Sequence, residues 1–238
     1  MADAQFMKEM RWPEIETYLK DSDDDEIILP IGAIEEHGPH MPLCVDSDVA
    51  MALSRKVSEK LGIMVHPLYE YGLCTATAFY SGTFTADFDV YKAMIEEILE
   101  RIHHHGFRKI YMIPGHLGSD HLAGFKVAAK EFLKDHEDAD VFIIDPYSFL
   151  EGIFSDGDGH AGRDETSLML HLHPEKVDMT KAIDEVPDDK DYSIRPKKRS
   201  KTGIFGFASK ATAENGKKLF GEMVEGIIRT IRNLRSAK

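Results

Sequence analysis

Apolar positions along the chain fall into two alternating kinds of segment. Short, β-branched runs at 27–31 (IILPI), 63–67 (IMVHP), 109–113 (KIYMI) and 140–144 (DVFII) read as strands. Longer stretches at 47–61, 88–105, 121–136 and 213–234 carry apolar residues near the 3.6-residue period and read as helices. In the first of these, Met51, Leu53, Val57 and Leu61 recur on one side while Arg55, Lys56, Glu59 and Lys60 fill the other. The last sets Leu219, Met223, Ile227, Ile228 and Ile231 on one face. Ser47 or Asp48 is expected to cap the first helix, and Gly62 and Gly106 to end helices in the left-handed conformation. Alternating strands and helices predict an α/β fold with a mainly parallel sheet and crossover helices. With no internal repeat and no second hydrophobic unit, all 238 residues are expected to form one domain, 1–238.

Composition narrows the class. Forty-two acidic against 29 basic side chains give a formal charge of −13, which excludes non-specific nucleic-acid binding, since that needs clustered Lys and Arg. A 42% hydrophobic and 30% charged chain can bury a core and solvate its surface. Two cysteines, Cys44 and Cys74, supply no disulfide framework and point to a reducing compartment. The N-terminal segment is amphipathic and interrupted by acids, unlike a signal peptide, and no stretch reaches the ~20 apolar residues of a membrane helix. A soluble, cytoplasmic protein without a membrane partner is expected. The polar segment 184–202 changes from acidic to basic; a solvated loop or oligomer contact outweighs an anion site at Lys197, Lys198 and Arg199.

Candidate chemistry lies after the strands, where parallel-sheet proteins place their sites. After 27–31 comes GAIEEHGPHMPLCVDSD, in which an extended chain would turn Glu35 and His37 to one side and Asp46 adds two oxygens. After 109–113 comes PGHLGSDH with His116. The third cluster, GDGHAGRDETSLMLHLH, has His160 in a glycine-rich turn and Glu165 at the start of a helix, where the dipole favours negative charge. Singly, such carboxylates are more often solvated or capping, and such histidines are often packed. Three loops that each supply nitrogen and oxygen donors match the ligand chemistry of Zn, Mn and Fe.

These blocks resemble the creatininase family. The pattern Glu-x-His-Gly-Pro-His-x-Pro-x-x-x-Asp is met by Glu35, His37, Gly38, Pro39, His40, Pro42 and Asp46. GHLGSD, HAGRDETS and TGIFGFASKATAENGKK are similar to three further family blocks. The resemblance implies a three-layer α/β/α sandwich, a homohexamer, and two divalent metal ions, Zn with Mn or Fe as alternatives. It assigns one metal to Glu35, Asp46 and His116 and the other to His37, Asp46 and Glu165, with Asp46 bridging and His160 shuttling protons.

Departures bear on the substrate. Creatininase itself has a metal-binding carboxylate two residues after the histidine, where this chain has Gly118, so Glu165 takes that role here. Its substrate tryptophans are missing, since the only tryptophan is Trp12. A common Ser-x-x-His segment before Phe-Pro-Gly-Thr is replaced by Cys74, Thr77, Tyr80 and Ser81. The implied activity is hydrolysis of a C–N bond in a small cyclic amide or formamide. Two alternatives stand: ring-opening C–C hydrolysis of a diketo-inositol, with Thr75, Thr77, Tyr80 and Ser81 meeting a polyol, and a non-catalytic metal-binding homologue.

Overall fold

All six residues of β1 (Glu26–Ile31) are buried, and their side chains divide between two cores. Ile27, Leu29 and Ile31 face one and Ile28 the other, as the two-residue period of a strand requires. A strand buried on both faces belongs to the middle of a covered parallel sheet. The computed structural model describes residues 3–21, 25–152, 158–186 and 198–236. Among them the main sheet has four parallel strands in the order β2-β1-β3-β4, where β2 is Met64–Val65, β3 Lys109–Pro114 and β4 Asp140–Ile143.

Helix α1 (Trp12–Asp21) precedes β1, and α2 (Val45–Leu61) joins β1 to β2. Helices α3 (Phe88–His104) and α4 (Ser119–Asp135) flank β3, and α5 (Arg163–Leu172) and α6 (Ala213–Ser236) complete the chain. One core joins Val49, Leu53 and Val57 of α2 to Leu168 of α5 and Met223 and Ile227 of α6. On the opposite face Tyr91, Ile95 and Leu99 of α3 pack with Phe125 and Phe132 of α4, edged by Ile15 and Leu19 of α1. This is the expected three-layer α/β/α sandwich. A short antiparallel ribbon, β5 (Asp184–Glu185) with β6 (Gly206–Phe207), lies outside it.

The strand order fixes where a site can form. The chain leaves β1 through α2 to one neighbouring edge, then returns through α3 on the other face to pair β3 with the opposite edge of β1. The carboxyl ends of β1 and β3 therefore flank a switch point, where diverging loops open a crevice.

Some boundaries differ from expectation. Helix α2 begins at Val45, before Ser47 and Asp48, and its N-cap Cys44 makes no side-chain capping bond. Ser47 is buried inside the helix and its hydroxyl donates to the Ala33 carbonyl at 3.2 Å, because this helix start packs on the loop leaving β1. The second strand is shorter than 63–67, as Pro67 has no N–H to continue a ladder. Gly62 ends α2 with φ 72°, and Gly106 follows the end of α3 with φ 108°, as expected. Of the polar segment, residues 187–197, including Lys197, lie outside the described residues. Among the described residues no helix is long and apolar enough to cross a membrane.

Candidate metal centre

Loops from three parts of the chain meet over the switch point. Gly32 and Gly115 follow β1 and β3, and the first turn of α2 sits on both, closer than a side chain at either position allows. That descent carries Asp46 between the strand ends. Glu35 and His37 arrive from the loop after β1, His116 from the turn after β3, and His160 and Glu165 from the turn and first residues of α5. All six residues singled out in the sequence come together.

Two ligand-type sets share Asp46. In one, His116 Nδ1 lies 2.8 Å from Glu35 Oε2 and 3.4 Å from Asp46 Oδ2. In the other, His37 Nε2 lies 3.4 Å from Asp46 Oδ1 and 3.7 Å from Glu165 Oε2. The two oxygens of Asp46 thus face different imidazoles. Each imidazole is anchored through its remote nitrogen. His37 Nδ1 donates to the Glu35 carbonyl at 3.1 Å, and His116 Nε2 to the Leu73 carbonyl at 3.2 Å. A carbonyl only accepts, so in the neutral rings Nε2 of His37 and Nδ1 of His116 are bare and turned inward, the arrangement seen when a second shell orients metal ligands.

Glu35, His37 and Asp46 are each no more than 2% exposed. Even so, Glu35 Oε2, His37 Nε2 and Asp46 Oδ2 have no hydrogen-bond partner among the described residues. These nitrogens and oxygens crowd together without donating or accepting in proper directions. Leaving buried polar and charged groups unsatisfied costs several kcal/mol, and cations ligated by the two sets would remove the cost. The donor set of carboxylate oxygens and imidazole nitrogens fits Zn, Mn or Fe.

Charge coupling tells the same story. Burial would depress His37, but the Asp46 carboxylate, with Glu165 and Glu35, raises it to about 10. Burial would lift Glu35, but the charge on His116, aided by His160, lowers it to about 2. Asp46 is held well below, and His116 well above, its ordinary range by the same pairing. Glu165 moves upward, because its burial outweighs the attraction of His37 and His160. Without a metal, protons on the imidazoles neutralise the carboxylates.

The turn before α5 is built around a residue that sequence reasoning passed over. Asp158 is buried and accepts from the backbone N–H groups of Arg163 (2.8 Å), Asp164 (3.3 Å) and Phe207 (2.9 Å), which ties α5 to β6. Between His160 and α5, Ala161 is held at φ 54° and donates its N–H to Glu165 Oε2 at 2.6 Å. A non-glycine residue in that region is strained by roughly 1–2 kcal/mol. The strained turn lies between His160 and Glu165. His160 Nε2 donates to the Glu36 carbonyl at 2.7 Å, and its Nδ1 points towards Glu165, 3.9 Å away. Glu35 raises His160 against the lowering effect of its burial.

A cavity of about 340 Å³ opens above the cluster, lined by Glu35, Thr77, His116, His160 and Glu165 with Leu117, Phe205 and Arg199. That volume suits a small molecule. Thr77 lines the cavity, in keeping with the expected pocket hydroxyl, but its hydroxyl is buried and donates to Glu35 Oε1. Thr75 bonds Asp120 at 2.9 Å and the Tyr80 hydroxyl donates to the Ser200 carbonyl at 2.5 Å, so these hydroxyls serve the protein. Of the basic run, Lys198 stacks over Tyr80 at 4.2 Å, whereas Arg199 reaches the cavity. A Cβ on Gly118 would sit 2.5 Å from His116 Nε2, so in this chain the imidazole fills the space beside that position. Cys44 is only partly buried and donates to Asp48 Oδ2 at 3.2 Å, away from the cluster. His40 Nε2 pairs with the Thr166 hydroxyl at 2.8 Å beneath α5.

The creatininase family model, described as creatinine amidohydrolase, matches residues 8–231. The creatinine amidohydrolase of Pseudomonas putida is 28% identical, covering 98% of both chains. The mycofactocin precursor peptide peptidase of Mycolicibacterium smegmatis is 28% identical, covering 84% of this chain and 81% of its own. Among solved structures, a creatinine amidohydrolase (creatininase) superposes with a TM-score of 0.91 at 25% identity over 100% of both chains. A structure titled as creatininase with Mn gives 0.88 at 25% identity, over 97% of this chain and 98% of its own. With the match spanning the sheet, its helices and every loop that supplies the cluster, the chain belongs to the creatininase family of hydrolases.

Proposed function

We propose that this protein is a binuclear metal-dependent hydrolase of a small amide, cleaving a C–N bond. In this reading Glu35, Asp46 and His116 would hold one divalent cation and His37, Asp46 and Glu165 a second, with Asp46 shared between the two sets. The observation that carries it is the trio of buried, unpartnered atoms Glu35 Oε2, His37 Nε2 and Asp46 Oδ2 at the floor of an open cavity. Cations bound at such a site supply Lewis acidity, activating water as a nucleophile and polarising a carbonyl.

The chain's own residues do the rest. His160, held by the Glu36 carbonyl, lines the cavity with Nδ1 free of that bond, and this nitrogen can take a proton from the attacking water and pass it to the leaving nitrogen. An imidazole suits both halves of that transfer near neutral pH. Leu117 and Phe205 form apolar walls that limit water, and Arg199 offers donors to a polar substrate group. Tyr71, Phe84, Val90 and Met94 are exposed as one patch, which supports self-association and so the homo-oligomer expected from the resemblance.

The test combines metal analysis with a panel of creatinine, formylated amines and short peptide amides. The wild type is expected to bind two cations per chain, and chelation or Asp46→Ala to remove both metal and hydrolysis. Full hydrolysis by the Asp46→Ala protein would sink the bridging role.

A further inference from the structure

The segment between β2 and α3 has no regular periodicity, yet one turn in it, residues 73–77, touches the cluster repeatedly. The Leu73 carbonyl accepts from His116 Nε2 at 3.2 Å, and the Thr77 hydroxyl donates to Glu35. Between these contacts stands Cys74, whose backbone is fixed at both ends. Its N–H donates to Thr85 Oγ1 at 3.0 Å, and its carbonyl accepts the Thr77 N–H at 3.2 Å. The side chain is 1% exposed. Its sulfur, a Glu35 carboxylate oxygen and a His116 imidazole nitrogen lie within 4.8 Å of one another. Glu35 Oε2, in the same buried space, has no hydrogen-bond partner.

We infer that Cys74 is a sulfur ligand of the cation held by Glu35, Asp46 and His116. The inference rests on the metal-centre reading above and adds a donor of different chemistry to one of its two sites. Coordination forms one metal–sulfur bond and releases the thiol proton to water, with no oxidant or reductant needed. The site then offers one sulfur, one nitrogen and carboxylate oxygens, whereas the His37 site offers nitrogen and oxygen alone. Thiolate favours Zn, Fe(II) or Co over the harder Mn, so the two sites of one centre would differ in metal preference. The turn that orients His116 and Glu35 from behind thereby selects the metal between them.

The full-length protein, stripped by chelator and reloaded with Co(II) or Zn(II), tests this. Two cobalt ions per chain and a near-ultraviolet sulfur-to-cobalt charge-transfer band are expected. The band should vanish in Cys74→Ser, which keeps a small polar atom, and persist in Cys44→Ser. The same Cys74→Ser change is expected to lower the preference for Zn over Mn, since it removes the soft donor that favours Zn. X-ray absorption on the zinc-loaded wild type needs no variant to fold, and should contain a Zn–S path near ~2.3 Å. Two bound ions with only nitrogen and oxygen neighbours would overturn the sulfur ligand and leave the metal centre standing. Failure to bind any cation would overturn both.

Discussion

The Asp46 carbonyl group occupies the space into which residue 115 would project a side chain. A Cβ built on Gly115 would overlap the carbonyl oxygen and lie 2.8 Å from its carbon. Strand β3 and the first turn of α2 are thus in backbone contact at the point where Asp46 enters the cluster. Gly115→Ala must push that turn away, at a cost of roughly 1–3 kcal/mol for overpacking. Because the displaced residue is the shared carboxylate, metal stoichiometry should drop with stability. Gly221→Ala provides the contrast: it lies inside α6 with nothing within 4 Å of a new Cβ, and should stabilise by about 0.5–1 kcal/mol. Denaturant melts with metal analysis check both, and an unchanged metal content in Gly115→Ala would contradict the link.

Thr77 should act on metal affinity through Glu35. Its hydroxyl is buried and donates to Glu35 Oε1, leaving the other oxygen facing the cluster. Thr77→Val keeps the shape and removes the donor. Outer-shell losses of this kind weaken metal binding by about 10–100-fold, and Thr77→Ser should restore it. Competition against a chromogenic chelator measures the change. Equal affinity in Val and wild type would mean that the bond does not position Glu35.

What was legible in the sequence was the part governed by short-range rules. Glu35, His37, His116 and Glu165 stand beside strand ends or a helix start, where glycine and proline mark turns and the α/β pattern dictates a shared edge. Residues governed by long-range packing were not legible. Asp158 works by receiving N–H groups from α5 and from β6, 49 residues away in its bond to Phe207. Cys74 and Thr77 sit in a stretch with neither helical nor strand period, so only the family resemblance drew attention to them, and nothing local showed that they touch Glu35 and His116. Ser47 has the composition of a cap, but the helix start is buried against Ala33, and tertiary contact overrides the local preference. The extent of Trp12–Asp21 was likewise hidden in an amphipathic segment whose packing partners, in the core beneath α3 and α4, lie far along the chain.

His160 should separate metal binding from turnover. Its Nε2 is committed to the Glu36 carbonyl, while Nδ1 lies 3.9 Å from Glu165 Oε2 and the residue lines the cavity. In the proposed assignment it ligates neither cation. His160→Asn is expected to retain two metals by elemental analysis and to lower kcat by ~10²-fold or more on any substrate found for the wild type. Loss of one metal equivalent would instead make it a ligand.

Acid–base behaviour should distinguish the stripped protein from the loaded one. In the stripped protein His37 is raised from 6.5 to about 10, chiefly by Asp46 acting against burial. A raised histidine contributes stability that is complete below its ordinary 6.5 and is lost as pH climbs through about 10. Glu35 is lowered from 4.5 to about 2 by His116, again against burial, so its contribution is complete above 4.5 and lost as pH falls through about 2. The stripped protein should therefore be most stable between these ordinary values and weaken steadily towards alkaline pH. Metal binding needs the imidazoles unprotonated, so protons compete with the cation in acid and withdraw in base. These are one linkage seen from two sides, since the proton that stabilises stripped His37 is the one the cation displaces, and the gap in Tm between loaded and stripped protein should widen as pH rises from 6 towards 10. Paired thermal melts in chelator and in metal buffer measure that gap, and a gap that is constant or narrows would show that His37 does not exchange its proton for a cation.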